Sequence, residues 1–257
     1  MICPGRSVLL LAGLLLGISV HAGQVIKSGE NRVSVVELYT SEGCSSCPPA
    51  DSFLSQLGQS REGAEILPLA FHVDYWDYIG WKDPFAHAQF TERQRQVAIA
   101  NQQSSIYTPE FVVDGREARG SRNIVDRVNT ARNSPAEAYI ALHYSLEDTG
   151  VFRASVDIDE IHYEGAETPV LYLVLYENGL SNQIDAGENR GRALSHDHVV
   201  RYLSPARLAT PGQDHDFELH IDSQWQRSSL GVAAVVRLRE SGRTLQAVKG
   251  MLAASGS

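Results

Sequence analysis

Two cysteines three positions apart, in Cys44-Ser45-Ser46-Cys47, are the residues of this chain best suited to chemistry. Thiols at that spacing close a small disulfide ring or share one metal ion. Behind a strand, in an oxidising compartment, they read first as a redox pair. Cys44, the more N-terminal, is expected at the surface, where its thiolate attacks a substrate disulfide. Cys47 then resolves the mixed disulfide and leaves a Cys44–Cys47 ring. Attack needs a depressed thiol pKa, and the unpaired N–H groups of a helix N-terminus supply part of it. Pro48 and Pro49 follow directly, and a residue before proline is pushed out of helical geometry. The thiols are therefore expected in the turn ahead of the helix, with weaker activation and a more firmly oxidised resting state.

The elements around the pair alternate. Residues 33–39 (VSVVELY) are β-branched and aromatic and predict a buried strand ahead of the cysteines. Residues 50–57 carry Phe53, Leu54 and Leu57 at helical spacing. A second strand is expected at 66–73, a helix at 84–101 started by Asp83-Pro84, and a third strand at 110–113 closed by the turn Asp114-Gly115. A short return strand at 117–120 and a helix at 122–132 complete a β-α-β-α-β-β-α order, which implies a central sheet with helices on its faces. Beyond Asn133-Ser134-Pro135 the pattern changes to seven short runs of strand character separated by turn signals, the pattern of an antiparallel sandwich.

The N-terminus has Arg6, an apolar stretch over 8–20 and then Val20-His21-Ala22, which reads as a secretory signal peptide cleaved after Ala22. Cys3 leaves with it. The product is expected to be periplasmic or secreted, and free of the membrane once the leader is removed. A net charge of −9 argues against nucleic acid or anionic lipid as a partner. Two cysteines are too few for a disulfide framework, so ordinary apolar packing must hold the core. The domain reading is a leader at 1–22, an α/β domain at 23–134 and a β-sandwich domain at 135–257.

Ligands of a parallel sheet collect at the carboxyl ends of its strands. The cysteines lie past the first strand, and Asp74-Tyr75-Trp76-Asp77-Tyr78-Ile79-Gly80-Trp81 past the second. Thr108-Pro109 begins the third, at the same edge. A strand ending Val36-Glu37-Leu38-Tyr39, the Cys44-x-x-Cys47 pair and Thr108-Pro109 before Phe111-Val112-Val113-Asp114-Gly115 together resemble the thioredoxin superfamily. That resemblance implies an α/β thioredoxin-like first domain and a cis Pro109 facing Cys44. It also implies that Thr108 offers backbone groups to an extended polypeptide, and that Glu37 serves as proton acceptor for Cys47 if burial raises its pKa. A hydrogen-bonded edge glutamate is the plainer reading of Glu37. The residues 39–51, Phe71-His72-Val73-Asp74-Tyr75-Trp76-Asp77 and Gly187-Glu188-Asn189-Arg190-Gly191-Arg192, with Leu194, His196 and Val199-Val200-Arg201, are similar to an exported bacterial family of unknown function with a thioredoxin-like half.

The leading expectation is thiol–disulfide exchange on an exported polypeptide or a redox partner protein, without a dissociable cofactor. Tyr75, Trp76 and Trp81 either line a substrate groove or pack as core under a loop. Two rivals stand beside it. The thiols are soft ligands for copper(I) or zinc, with His72 and Asp74 on one strand face as further donors, although zinc normally takes four ligands. His72 also reads as a packed core histidine. Alternatively, the disulfide is a permanent clamp in a binding module, although a ring of four residues constrains little chain entropy. His196-Asp197-His198 has no third ligand at a clear spacing. Residues 187–192 lack the lysine and the strand–loop–helix context of a phosphate loop and read as a tight turn that pairs locally or docks the two halves. No nucleophile elbow and no HExxH motif supports a hydrolase.

Overall fold

The computed structural model describes residues 23–60 and 66–252; the leader read at 1–22 lies outside them. In chain order the elements are β1 (Gln24–Lys27), β2 (Ser34–Thr40), α1 (Pro48–Gln59), β3 (Ile66–His72), α2 (Ala88–Ala100), β4 (Glu110–Val113), β5 (Arg116–Glu117) and α3 (Ser121–Arg132). Strands follow: β6 (Ala138–Leu146), β7 (Val151–Ile161), β8 (Pro169–Glu177), β9 (Leu180–Gln183), β10 (Ala193–His196), β11 (Val199–Leu203), β12 (Arg207–Leu208), β13 (His215–His220), β14 (Leu230–Leu238) and β15 (Thr244–Met251).

These strands correct the expected architecture. Among the described residues the protein is mostly β, with three α-helices, and it is not a thioredoxin-like α/β core followed by a separate antiparallel sandwich. Nine strands from both sides of residue 134 form one mixed sheet in the order β15-β14-β8-β11-β3-β2-β4-β5, with β12 beside β8. Strand β3 lies parallel to both β2 and β11, and the other neighbours along this order are antiparallel. The join has a physical cause. Without β11, strand β3 would be an open edge with unpaired backbone groups. Ala70 N–H donates to the His198 carbonyl at 2.8 Å and Val199 sits opposite Ala70. Pro68, two residues earlier, turns its nitrogen to the same side and has no N–H, so this pairing is confined to the C-terminal end of β3. The second half of the chain is thereby anchored beside the cysteine loop.

The two faces of the large sheet follow the period of two along each strand. Val35, Tyr39, Leu67, Leu69 and Phe71 face Phe90 and Val97 of α2, and Val174, Tyr176 and Ala233 continue that layer. On the opposite face Val36, Leu38 and Ala70 pack on Leu54 and Leu57 of α1 and Ile124 and Val128 of α3. Farther along the same face, Leu171, Leu173, Leu175, Val232 and Val236 meet Ile140, Leu142, Phe152 and Val156 from a second sheet, ordered β1-β6-β7-β13. Strands β9 and β10 form a two-stranded ribbon. The turn Asp114-Gly115 has both residues at positive φ, 48° and 80°, which suits a two-residue hairpin. Asp114 then bonds back to Ser34 Oγ and Val35 N at 2.9 Å each, which fixes β4 against β2.

Candidate functional site

Cys44 and Cys47 form a disulfide, Cα atoms 5.4 Å apart, in the turn between β2 and α1. The turn is closed by Cys44 N–H to the Ser41 carbonyl at 3.1 Å and Cys47 N–H to the Cys44 carbonyl at 3.2 Å. Cys47 has helical dihedrals and caps α1, which begins at Pro48. Pro48 and Pro49 contribute no N–H. The next two donors, Ala50 and Asp51, are both used by the Cys47 carbonyl at 2.8 and 3.1 Å. The first turn of α1 therefore keeps no N–H for a thiolate at Cys44, and the helix end is a poor activator.

Both cysteines are 0% exposed, whereas Ser45 and Ser46 between them are exposed. This corrects the expectation of a surface thiol at Cys44, and the cover explains it. Gly43 lies so close under Trp76 that a side chain there would begin 3.0 Å from the tryptophan Cβ. Trp76 Nε1 donates to Thr108 Oγ1 at 2.7 Å, and Trp81 Nε1 to Glu42 Oε2 at 2.9 Å. From the other half of the chain, Asn189 Nδ2 donates to the carbonyls of Glu42 at 2.8 Å and of Cys44 at 3.0 Å. Glu188 Oε2 accepts from Ser45 N–H at 3.1 Å. The turn at 187–192 thus docks onto the cysteine loop. Tyr75 is half-buried and packs at the edge of the α2 layer.

The Thr108–Pro109 bond is cis. Pro109 shares a groove of about 620 Å³ with Ser46, Pro49, Phe53, Phe111 and Ile124. Pro109 thereby meets Ser46 of the cysteine turn across the groove, while Thr108 is tied to the cover through Trp76, and the apolar groove runs on along α1. Glu188 places a carboxylate one residue from Cys44. The substitution Glu188→Gln removes a charge that opposes a thiolate there. In the reduced protein the Cys44 pKa should fall and its alkylation at pH 7 should quicken, with a rise in the reduction potential. Alkylation rates against pH, with unchanged values as the contrary result, test this.

Glu37 is not brought to the cysteines. Its side chain enters the α2 layer, where Arg93 NH2 donates to Oε1 at 2.6 Å, Arg93 Nε to Oε2 at 3.2 Å and Tyr39 Oη to Oε2 at 2.7 Å. Arg237 adds a second guanidinium at 3.6 Å. Burial alone would push the carboxyl up, but Arg93 and then Arg237 hold it below the usual range. A proton acceptor for a thiol needs the reverse.

A different polar cluster lies behind the disulfide. Glu42, fully buried, accepts from Trp81, from Asn182 Nδ2 at 2.9 Å and pairs with His196 Nε2 at 3.1 Å. His72 Nδ1 is 2.7 Å from Asp83 Oδ2, an oxygen that also accepts Glu42 N–H at 2.9 Å. Burial would push the His72 pKa down, but the Asp83 carboxylate raises it. The His72 and His196 rings meet edge to face, 4.9 Å between centroids. Asp51 Oδ2 lies 3.9 Å from His196 Nδ1. Sequence reasoning had His72 as a packed histidine, which it is; it weighed His196 only as a metal ligand and residues 187–192 only as a docking turn, and it missed the parts of Glu42, Asp51 and Asp83. Only Asp51 left a signal, four residues after Cys47 and so on the same helix face. Asp74 accepts from Thr91 Oγ1 at 2.5 Å, and His198 sits apart beside Tyr176. Among the described residues no group of three His, Cys, Asp or Glu side chains has metal-binding geometry.

A mixed sheet with an attached second sheet, and a buried CxxC disulfide at its parallel-strand edge, is the class that fold and site define. The chain belongs to the family described as protein of unknown function (DUF1223), whose model matches residues 35–237. A crystal structure of an Agrobacterium tumefaciens protein is similar over 90% of this chain and 98% of its own, with TM-score 0.65 and 24% identity. HBP35 of Porphyromonas gingivalis is similar over 89% of this chain and 79% of its own, with TM-score 0.66 and 16% identity. At these identities the likeness is one of fold alone. No curated protein matches the chain.

Proposed function

We propose that the protein is an exported thiol–disulfide oxidoreductase, with Cys44 as nucleophile and Cys47 as resolving thiol. The observation that carries this reading is a ring of four residues closed at the carboxyl edge of β2 and β3, beside an apolar groove that Ser46 and Pro109 share. So short a ring removes little entropy from the unfolded chain, so stabilisation is a weak reason to keep it. The substrate is an exported polypeptide or a redox partner with cysteines of its own. Thr108 and Pro109 supply substrate-facing backbone. Trp76 and Trp81 hold the cover that must part before Cys44 is attacked. The leader-like N-terminus and the disulfide both fit an oxidising compartment. In the reductive direction the Cys44 thiolate breaks a substrate disulfide and forms a mixed disulfide. Cys47 then displaces the substrate thiolate, the protein disulfide re-forms and the substrate is reduced by two electrons.

A second reading, a permanent clamp, draws on the burial of both sulfurs and on the lack of a first-turn N–H for a thiolate. Equilibration against glutathione or dithiothreitol buffers, with alkylation of free thiols read by mass, separates the two. A potential between about −300 and −120 mV, the range of known oxidoreductases, supports exchange. A disulfide that stays closed in the folded protein under excess dithiothreitol supports the clamp. Under exchange, Cys47→Ser should trap mixed disulfides through Cys44.

A further inference from the structure

A second groove, of about 590 Å³, lies between α1 and the β9–β10 ribbon and shares no lining residue with the one beside Pro109. Asp51, Ser52 and Ser55 line it from α1; Leu194, His196 and Asp197 line it from β10 and the residue after it. The local structure explains this wall. Asp51 and Ser55 are four apart on the helix and so lie on one side of it. Leu194 and His196 alternate along β10, and theirs is the buried face of that strand.

His196 is 3% exposed, and only one of its ring nitrogens is used. Nε2 faces Glu42 at 3.1 Å, whereas Nδ1 has no hydrogen-bond partner among the described residues. Nδ1 is turned toward α1, because Asp51 Oδ2 lies 3.9 Å from it, a gap too wide for a direct hydrogen bond. Buried polar atoms are almost always satisfied, so a third group belongs between ring and carboxylate. With Nε2–H donating to Glu42, the neutral ring offers a lone pair at Nδ1, and Asp51 offers carboxylate oxygens. Both acceptors ask for a donor.

The charge balance says which donor. Glu42, Asp51 and Asp83 are three buried carboxylates with two imidazoles, His72 and His196, among them. Even two imidazolium rings would leave one carboxylate without a counter-charge. Asp197 adds another at the mouth, and no Lys or Arg lines the groove. Burial raises the Asp51 pKa, with His196, then His72 and the Thr40 hydroxyl, opposing the rise. Among the described residues no three acidic, His or Cys side chains have metal-binding geometry, so the missing charge is not a metal ion's. An ammonium group fits, because its N–H bonds diverge. Held about 2.9 Å from each acceptor, one nitrogen bridges the gap between Nδ1 and Oδ2.

We infer that this groove binds a small aliphatic amine, its ammonium group between His196 Nδ1 and Asp51 and its carbon chain against Leu194. Asp197 and the Ser52 and Ser55 hydroxyls receive the polar end nearer solvent. The site is independent of the redox reading, since occupancy does not require the disulfide to open.

The test is calorimetric titration of the full protein with putrescine at about 0.15 M salt, where exposed charges are largely screened. Saturable binding at one site is expected. 1,4-Butanediol, which has the same carbon chain without the charge, and magnesium ion, which reads attraction to the net charge of −9, should bind about tenfold more weakly or worse. Asp51→Asn should weaken putrescine by a similar factor. Should that variant misfold, Ser55→Arg, half-buried on the helix surface, sets a guanidinium in the groove and should abolish binding. In unmodified protein the ¹⁵N resonance of His196 Nδ1 and the Asp51 carboxyl carbon should shift along the calorimetric curve. His143 and His162, each exposed beside a carboxylate of its own, should not shift. No saturation by putrescine, equal binding of the diol, or unchanged binding in a folded Asp51→Asn or Ser55→Arg overturns the amine site and leaves the gap to an internal water.

Discussion

Replacing Glu42 by alanine should cost about 3–5 kcal/mol of folding stability, the range for breaking a buried charge interaction by removing one partner. The carboxylate is fully buried at the end of the turn that leaves β2, and three donors from three places close on it: Trp81 from the loop after β3, Asn182 from β9 and His196 from β10. Alanine leaves all three in a dry site, each at about 1–3 kcal/mol. The simple sum overstates the loss, because the desolvation penalty of the carboxylate disappears with it. Glu42→Gln keeps the volume but turns an amide N–H₂ toward donors, and about 1–3 kcal/mol is expected. Urea unfolding of both variants, with the slope against urea unchanged, measures this. A loss below 1 kcal/mol for alanine would falsify the view that Glu42 fastens the second half of the chain to the cysteine turn. Because the Asn189 clasp on the Glu42 carbonyl sits on the same turn, reduced Glu42→Ala should also show faster alkylation at Cys44.

What the sequence made legible was local. The run at 33–39 corresponds to β2, the turn at Asp114-Gly115 has its two positive φ values, and the runs after residue 135 correspond to β6, β7, β8, β11, β13, β14 and β15. Each signal is carried by neighbours within a few residues. The helix start at Asp83-Pro84 misled, because Asp83 spends its oxygens on His72, Glu42 N and Phe85 N; α2 begins later, with His87 Nδ1 accepting Gln89 N–H as its cap. The architecture was not legible, because strand order is set by pairing between distant segments. Both halves contribute to both sheets: one short parallel contact, Val199 beside Ala70, joins them in the large sheet and β1 pairs β6 in the other, and no periodicity encodes either. The site divides the same way. Cys44 and Cys47 stood out by spacing, and Thr108 and Pro109 came with the family resemblance. The parts of Glu42, Asn189 and His196 could not be read in either way, since their significance is that residues about 150 positions apart meet. Glu37 was drawn in by a family parallel, and the alternation of β2 sends it to the opposite face of the sheet from α1.

That opposite face yields the other large effect. Arg93→Met should destabilise the protein by about 3–5 kcal/mol at pH 7, because Glu37 would remain buried with its chief partner gone. Tyr39 and the more distant Arg237 guanidinium stay, and methionine fills most of the space above Phe71 and Tyr172 that Arg93 occupies. Packing is therefore a minor part of the loss, and the pH dependence reveals the electrostatic part. In the wild type the Glu37 pKa is held below its unfolded value, so its contribution is fully present above the unfolded pKa and is lost as pH falls through the folded one. In the variant, burial loses its main opponent and the folded pKa rises above the unfolded value. The sign reverses: the penalty is full at neutral pH and is relieved as pH falls through that raised pKa, because the protonated carboxyl tolerates the dry site. The gap between wild type and variant should narrow steadily toward pH 4. Adding Glu37→Gln to Arg93→Met should recover most of the loss, since replacing a whole buried pair by neutral groups is often close to neutral. Urea unfolding at several pH values follows both effects. A gap that stays constant from pH 8 to 4, or a double variant no better than Arg93→Met, would mean that Arg93 acts through packing on Phe71 and Tyr172 and that Glu37 does not depend on it.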